Sequence, residues 1–102
     1  DASVIMTSET HGHTPSPFWG GFGVSKAGLE FLVKCWALEL DNTSKLRINA
    51  LIPGPVQSPQ RAHTHPAEER ITLPSPADLM PLYLFLMGPD SRAINGEVLS
   101  AQ

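Results

Sequence analysis

Phe22-Gly23-Val24-Ser25-Lys26-Ala27-Gly28-Leu29 opens the longest uninterrupted helical pattern in a chain of 102 residues. Positions four apart on a helix stack on one face. The spacing therefore sets the Phe22 ring beside the ammonium of Lys26. A tyrosine at 22 would make a working acid–base pair with that lysine, because a nearby cation favours the phenolate and lowers the phenol's pKa. Phenylalanine has no proton to give, so residue 22 governs what chemistry the chain can do.

Working outward, the helical pattern runs from about residue 22 to residue 40 with no proline in it. Val24, Gly28, Phe31, Leu32, Cys35 and Leu38 recur at three- and four-residue steps, and Trp36 and Leu40 widen the stripe. A helix this apolar is expected to be buried on two sides, by a sheet and by a second helix. Asp41-Asn42-Thr43-Ser44 reads as the loop that ends it. Upstream, Val4-Ile5-Met6 reads as a buried strand of a parallel sheet. Polar residues follow from Thr7 to Gly12. Ligands of open parallel sheets gather beyond the carboxyl ends of strands, so this segment is a candidate site by position, with a plain surface loop as the alternative. The segment from 13 to 21 has loop chemistry in Pro15, Pro17, Gly20 and Gly21, and Phe18 and Trp19 are expected to pack on the sheet edge or a partner.

Downstream, Leu46 to Ile52 is a second buried strand, closed by Pro53-Gly54-Pro55. Residues 57–74 are polar, proline-broken and without clear period, which marks a functional or disordered loop. Ser75-Pro76-Ala77-Asp78 is a helix start; Pro81 should kink that helix, and Gly88-Pro89 should stop it. Gly96 to Ser100 reads as a last short strand. The order β-α-β-loop-α-β argues an α/β fold with a parallel sheet. Three strands and two helices are thin cover for a domain, and the chain opens without an initiator methionine directly on a strand. A fragment of a longer protein, or a tight oligomer, is expected.

Composition narrows the function classes. A net charge of −3 with scattered basic residues gives no footprint for nucleic acid, and no apolar run is long enough to span a membrane. Cys35 stands alone, which excludes an intrachain disulfide and fits a reducing compartment such as the cytoplasm. His11 and His13, and His63 and His65, form two His-x-His pairs. Side chains two apart point to opposite faces of a strand, and no cysteine or clustered carboxylate completes a ligand set, so no metal site is expected.

Ser25-Lys26-Ala27, then Asn49-Ala50-Leu51-Ile52-Pro53-Gly54, then a strand opened by Gly96, resembles the C-terminal half of the short-chain dehydrogenase/reductase family. Trp19-Gly20-Gly21 and the run Pro76 to Gly88 are similar to a bacterial branch of oxidoreductases in that family. The resemblance covers nearly the whole chain. It implies the C-terminal half of a Rossmann-type doubly wound parallel sheet, with residues 57–74 as the variable substrate loop. It also implies hydride transfer between NAD or NADP and a carbonyl or alcohol. The family lysine falls on Lys26, where it would hold the nicotinamide ribose hydroxyls. The family tyrosine falls on Phe22. The family serine, about thirteen positions earlier, falls on Glu9, with Ser8 as a possible substitute and Gly12 as the glycine three further on. Pro53 and Gly54 would pass the nicotinamide, the backbone of Val56 would meet its carboxamide, and Ser58 takes a place where threonine is common. The resemblance puts the glycine-rich phosphate turn in an N-terminal half. It leaves two functional readings open. One is an oxidoreductase, weakened or with a rearranged acid such as a protonated Glu9. The other is a catalytically impaired cofactor-binding or dimerisation module, pairing through helix 22–40 as a homo-oligomer. The fragment alone is expected to be inactive.

Overall fold

The computed structural model describes residues 2–40 and 45–102. The loop expected at Asp41-Asn42-Thr43-Ser44 lies outside the described residues. Three strands, β1 (Ala2–Thr7), β2 (Leu46–Ile52) and β3 (Val98–Ser100), form one sheet in the order β1-β2-β3. Both pairings are parallel, Val4 lying against Ile48 and Ala50 against Val98. The 4–6 and 48–52 segments thus lie in one sheet, as the apolar runs predict. But β1 is not the buried strand expected: among the described residues it has a neighbour on one side only, and Val4 is 38% exposed.

Strand parity assigns the two faces. Met6, Ile48, Ala50 and Val98 lie on the face packed by Val33 and Ala37 of helix α1 (Gly20–Leu40). Ser3, Thr7 and Arg47 lie on the other face, against a shorter helix that spans Pro76–Met87. Ser3 Oγ donates to Leu86 O at 2.6 Å, and Thr7 Oγ1 meets Tyr83 Oη at 3.0 Å. Arg47 extends that face by donating to the backbone oxygens of Gly88 and Ser91. Helices on both faces make the sheet doubly wound, and β2, between two neighbours and two helices, is buried from Ile48 to Ile52. Asn49 is tolerated there because both ends of its amide are satisfied: Nδ2 donates to Ile94 O and Oδ1 accepts from Glu97 N, each at 3.0 Å.

Four further expectations need correction. The stripe Val24–Phe31–Leu38 is not the buried face of α1. Those residues are 74%, 70% and 78% exposed, while Glu30, Val33 and Ala37 are buried. Val33 and Ala37 pack against Ile48 and Ala50 of the sheet, which leaves the bulkier apolar stripe pointing outward. The second helix expected over that stripe lies on the opposite face of the sheet. Phe18 is fully exposed in a left-handed conformation (φ 69°) rather than packed. Residues 57–74 are not a featureless loop. They hold α2 (Pro59–Thr64) and a single 3₁₀ turn, Arg70–Thr72, closed by Gln57 N to Pro74 O at 3.0 Å. The Pro76–Met87 helix, α3, starts with the expected Ser75/Asp78 capping box and continues through Pro81.

Candidate functional site

The carboxyl ends of β1 and β2 and the amino end of α1 converge on an open cleft of about 430 Å³. Its floor is Thr7 to His11, one wall is Trp19, Phe22 and Lys26, and the other is Pro53 to Val56. Ser58, Arg61 and His65 of the 57–74 segment close over it. All eight residues singled out from the sequence, at 8, 9, 22, 26, 53, 54, 56 and 58, line this one cleft.

Lys26 stands at the mouth of the parallel strands. Its Nζ donates to Thr7 O at 3.4 Å and sits 5.7 Å from the centre of the Phe22 ring. An ammonium carries three donors, so the contact with Thr7 leaves two for a ligand. Phe22 offers the cleft a ring and no hydroxyl. Trp19 packs edge-on against it at 5.6 Å and stacks face to face on His11 at 4.5 Å.

Ser8 and Glu9 face different surroundings. Ser8 is 2% exposed and its Oγ donates to Glu30 Oε2 at 2.5 Å. That commitment to a buried carboxylate tells against Ser8 as a stand-in hydroxyl. Glu30 also meets His13 Nδ1 at 3.6 Å. Gly12 makes this packing possible: a Cβ there would come within 2.4 Å of Glu30 Oε2 and 3.0 Å of Lys26 Cβ. Glu9 lies on the cleft side, its Oε2 3.2 Å from His11 Nδ1. Burial pushes the Glu9 carboxyl upward, but hydrogen bonds from His11 and the Thr10 backbone, with the charge of His11, outweigh it and hold the group below its ordinary value. The suggestion that burial keeps Glu9 protonated as a proton donor is therefore corrected: the carboxyl is ionised at neutral pH.

The far wall is fixed by a residue the sequence reading missed. Gln102 Nε2 donates to Pro53 O at 2.8 Å and Pro55 O at 2.7 Å, and so clamps the turn around Gly54. Gly54 has φ 77°, and a Cβ there would come within 2.9 Å of the Gln102 amide. Ser58 Oγ accepts from Arg61 N at 3.0 Å and so caps α2. Arg61 is tied by two 2.8 Å bonds to Glu68. His11 lines the cleft as part of the 7–12 segment expected there by its position beyond a strand end, although no role was assigned to its side chain. Among the described residues no group of three or more His, Cys, Asp or Glu side chains is placed to hold a metal. No described helix is long and apolar enough to cross a membrane.

A family model described as enoyl-(acyl carrier protein) reductase matches residues 1–102. The uncharacterized oxidoreductase YciK of Escherichia coli is 38% identical over 100 residues, which is 98% of this chain and 39% of YciK. A solved Pseudomonas syringae protein described as a short-chain dehydrogenase is 43% identical with a TM-score of 0.95, over all of this chain and 41% of that one. An Escherichia coli protein of the same description, solved in complex with NADPH, is 38% identical with a TM-score of 0.90, over 96% of this chain and 40% of that one. The chain thus spans about two fifths of the length of the relatives it matches.

Proposed function

The chain belongs to the short-chain dehydrogenase/reductase family, and from that premise we propose that it forms the C-terminal half of an NAD(P)-binding Rossmann domain. The whole protein then transfers hydride between a nicotinamide cofactor and a small carbonyl or alcohol. The observation that carries this reading is Lys26, whose ammonium stands at the carboxyl ends of the strands with donors to spare, opposite the Pro53–Val56 wall. A cleft of about 430 Å³ is of the size that small ligands occupy.

The residues present fit the nicotinamide end of such a cofactor. Lys26 would hold the ribose hydroxyls, Pro53 and Gly54 would lie along the ring, and the Val56 backbone and Ser58 would meet the carboxamide side. When bound, the nicotinamide supplies or takes up the hydride. Phe22 contributes packing and exclusion of water beside Lys26, and the proton must come from another group. Residues 57–74 cover the substrate side, held in shape by the Arg61–Glu68 pair.

Phe22 favours a second reading, a module that binds the cofactor without turning it over. Titrating NADPH and NADH into the full-length protein, with and without the Lys26→Ala substitution, tests the common part of both. Binding weakened at least tenfold by Lys26→Ala is the expected result. A full-length protein that binds neither dinucleotide overturns the proposal. Reduction of an aldehyde by the wild type then favours the enzyme over the silent module.

A further inference from the structure

Resting on the oxidoreductase reading, we propose that His11, oriented by Glu9, is the proton donor and acceptor of this cleft, replacing the phenol that Phe22 lacks. Three observations carry it. His11 lines the cleft together with Lys26 and Phe22. Its Nδ1 is turned to Glu9 Oε2 at 3.2 Å, and Nε2 has no hydrogen-bond partner among the described residues. Its ring is held flat on Trp19, 4.5 Å away and 6° from parallel, with Trp19 braced on Phe22. A carboxylate on one ring nitrogen fixes the tautomer and leaves the other nitrogen to exchange a proton, and imidazole can do this near neutral pH.

Glu9 and Phe22, the two departures from the family pattern, are thereby joined in one device. The carboxylate cannot stabilise a developing alkoxide, but it supports an imidazolium. In the reducing direction, the carbonyl carbon gains a hydride from the reduced nicotinamide, which is oxidised by two electrons. The C=O π electrons pass to oxygen, which takes the proton from His11 Nε2. The neutral imidazole keeps its Nδ1 proton on Glu9 and recovers the other from water, since its side chain is one-fifth exposed. The charged or titratable groups that line the cleft with His11 are Glu9 on its own segment, Lys26 on α1, and Arg61 and His65 from the 57–74 segment.

The test uses the full-length protein carrying Trp36→Phe, so that Trp19 is the reporter within this chain. A protonated imidazole stacked on an indole quenches its fluorescence. His65 also stacks on Trp19, at 6.3 Å and 26° from parallel, so the reporter background carries His65→Gln as well. The expected result there is a quench that is lost as pH rises and abolished by adding His11→Gln. With benzaldehyde and hexanal as substrates and NADPH as reductant, His11→Gln is expected to lower turnover about 100-fold or more. NADPH binding should stay within about twofold, since general acid–base loss leaves binding in place. Adding Phe22→Tyr to His11→Gln should restore turnover, because either group can supply the same proton. A fluorescence curve unchanged by His11→Gln overturns the proposal, as does wild-type turnover that His11→Gln retains. A wild type that binds NADPH and reduces neither aldehyde also overturns it, while the cofactor reading survives. Failure to bind NADPH removes both.

Discussion

At the scale of single residues, the chain shows how one missing atom redirects a site. Phe22 keeps the ring, the position and the contact with Lys26 of an acid–base pair, and omits only the oxygen. Local geometry made that legible from sequence, because residues four apart on a helix must be neighbours. Glu30 was not legible. It is a charged residue in an apolar helical run, yet it is nearly buried, where it receives the Ser8 hydroxyl and approaches His13. Nothing in spacing indicates that a loop 22 residues away will supply its partner. Gly12 is the hinge of this arrangement. The second hydrogen on its Cα is all that the space between the loop, Glu30 and Lys26 admits. Gly12→Ala is therefore expected to destabilise the fold by about 1–3 kcal/mol through overpacking. Chemical denaturation of the full-length variant, read as a lower midpoint with unchanged slope, checks it.

Among the elements, those ruled by the local sequence were legible and those ruled by tertiary contacts were not. The strands at 4–6 and 46–52, and the α3 cap at Ser75 and Asp78, follow from apolar runs and capping chemistry. The face that α1 buries could not be read in the same way. Two of its faces are apolar, and the choice between them depends on Ile48 and Ala50 across the sheet. The 57–74 segment shows the same limit, since its order rests on Arg61 meeting Glu68 and Gln57 meeting Leu73 and Pro74. That segment should be pH-sensitive. The hydrogen bond from Arg61 holds the Glu68 carboxyl below its ordinary value, with burial opposing and the charges of Arg61 and His65 assisting. A carboxyl lowered in the folded state stabilises it above the unfolded value of about 4.3, and the contribution is lost as pH falls through the lowered folded value. Proteolysis within 57–74 should accordingly quicken on acidification below about pH 4, and Glu68→Gln should show the faster cleavage already at neutral pH.

For the whole molecule, the question is what covers the outward side of α1. Val24, Phe31 and Leu38 recur every two turns along one edge of the helix, with Leu32 and Trp36 half-exposed beside them. Apolar side chains aligned over most of a 21-residue helix are more than the scattered exposure normal for a monomer. Two covers are open to them: a second copy of the protein, helix against helix, as the sequence analysis expects, and the rest of a protein of which this chain spans about two fifths by the length of its relatives. With a second copy, a self-complementary contact about a two-fold axis places each residue of the stripe against its counterpart, so a charge introduced on the stripe repels its own copy. Phe31→Glu with Leu38→Glu should therefore convert the full-length protein to monomers by light scattering after size exclusion. Both residues are exposed on the face away from the sheet, so the fold should survive the change. The cleft lies at the amino end of the same helix, and neither residue lines it. NADPH binding by the monomeric variant should then match the wild type, and a mass unchanged by the double substitution would place the interface elsewhere.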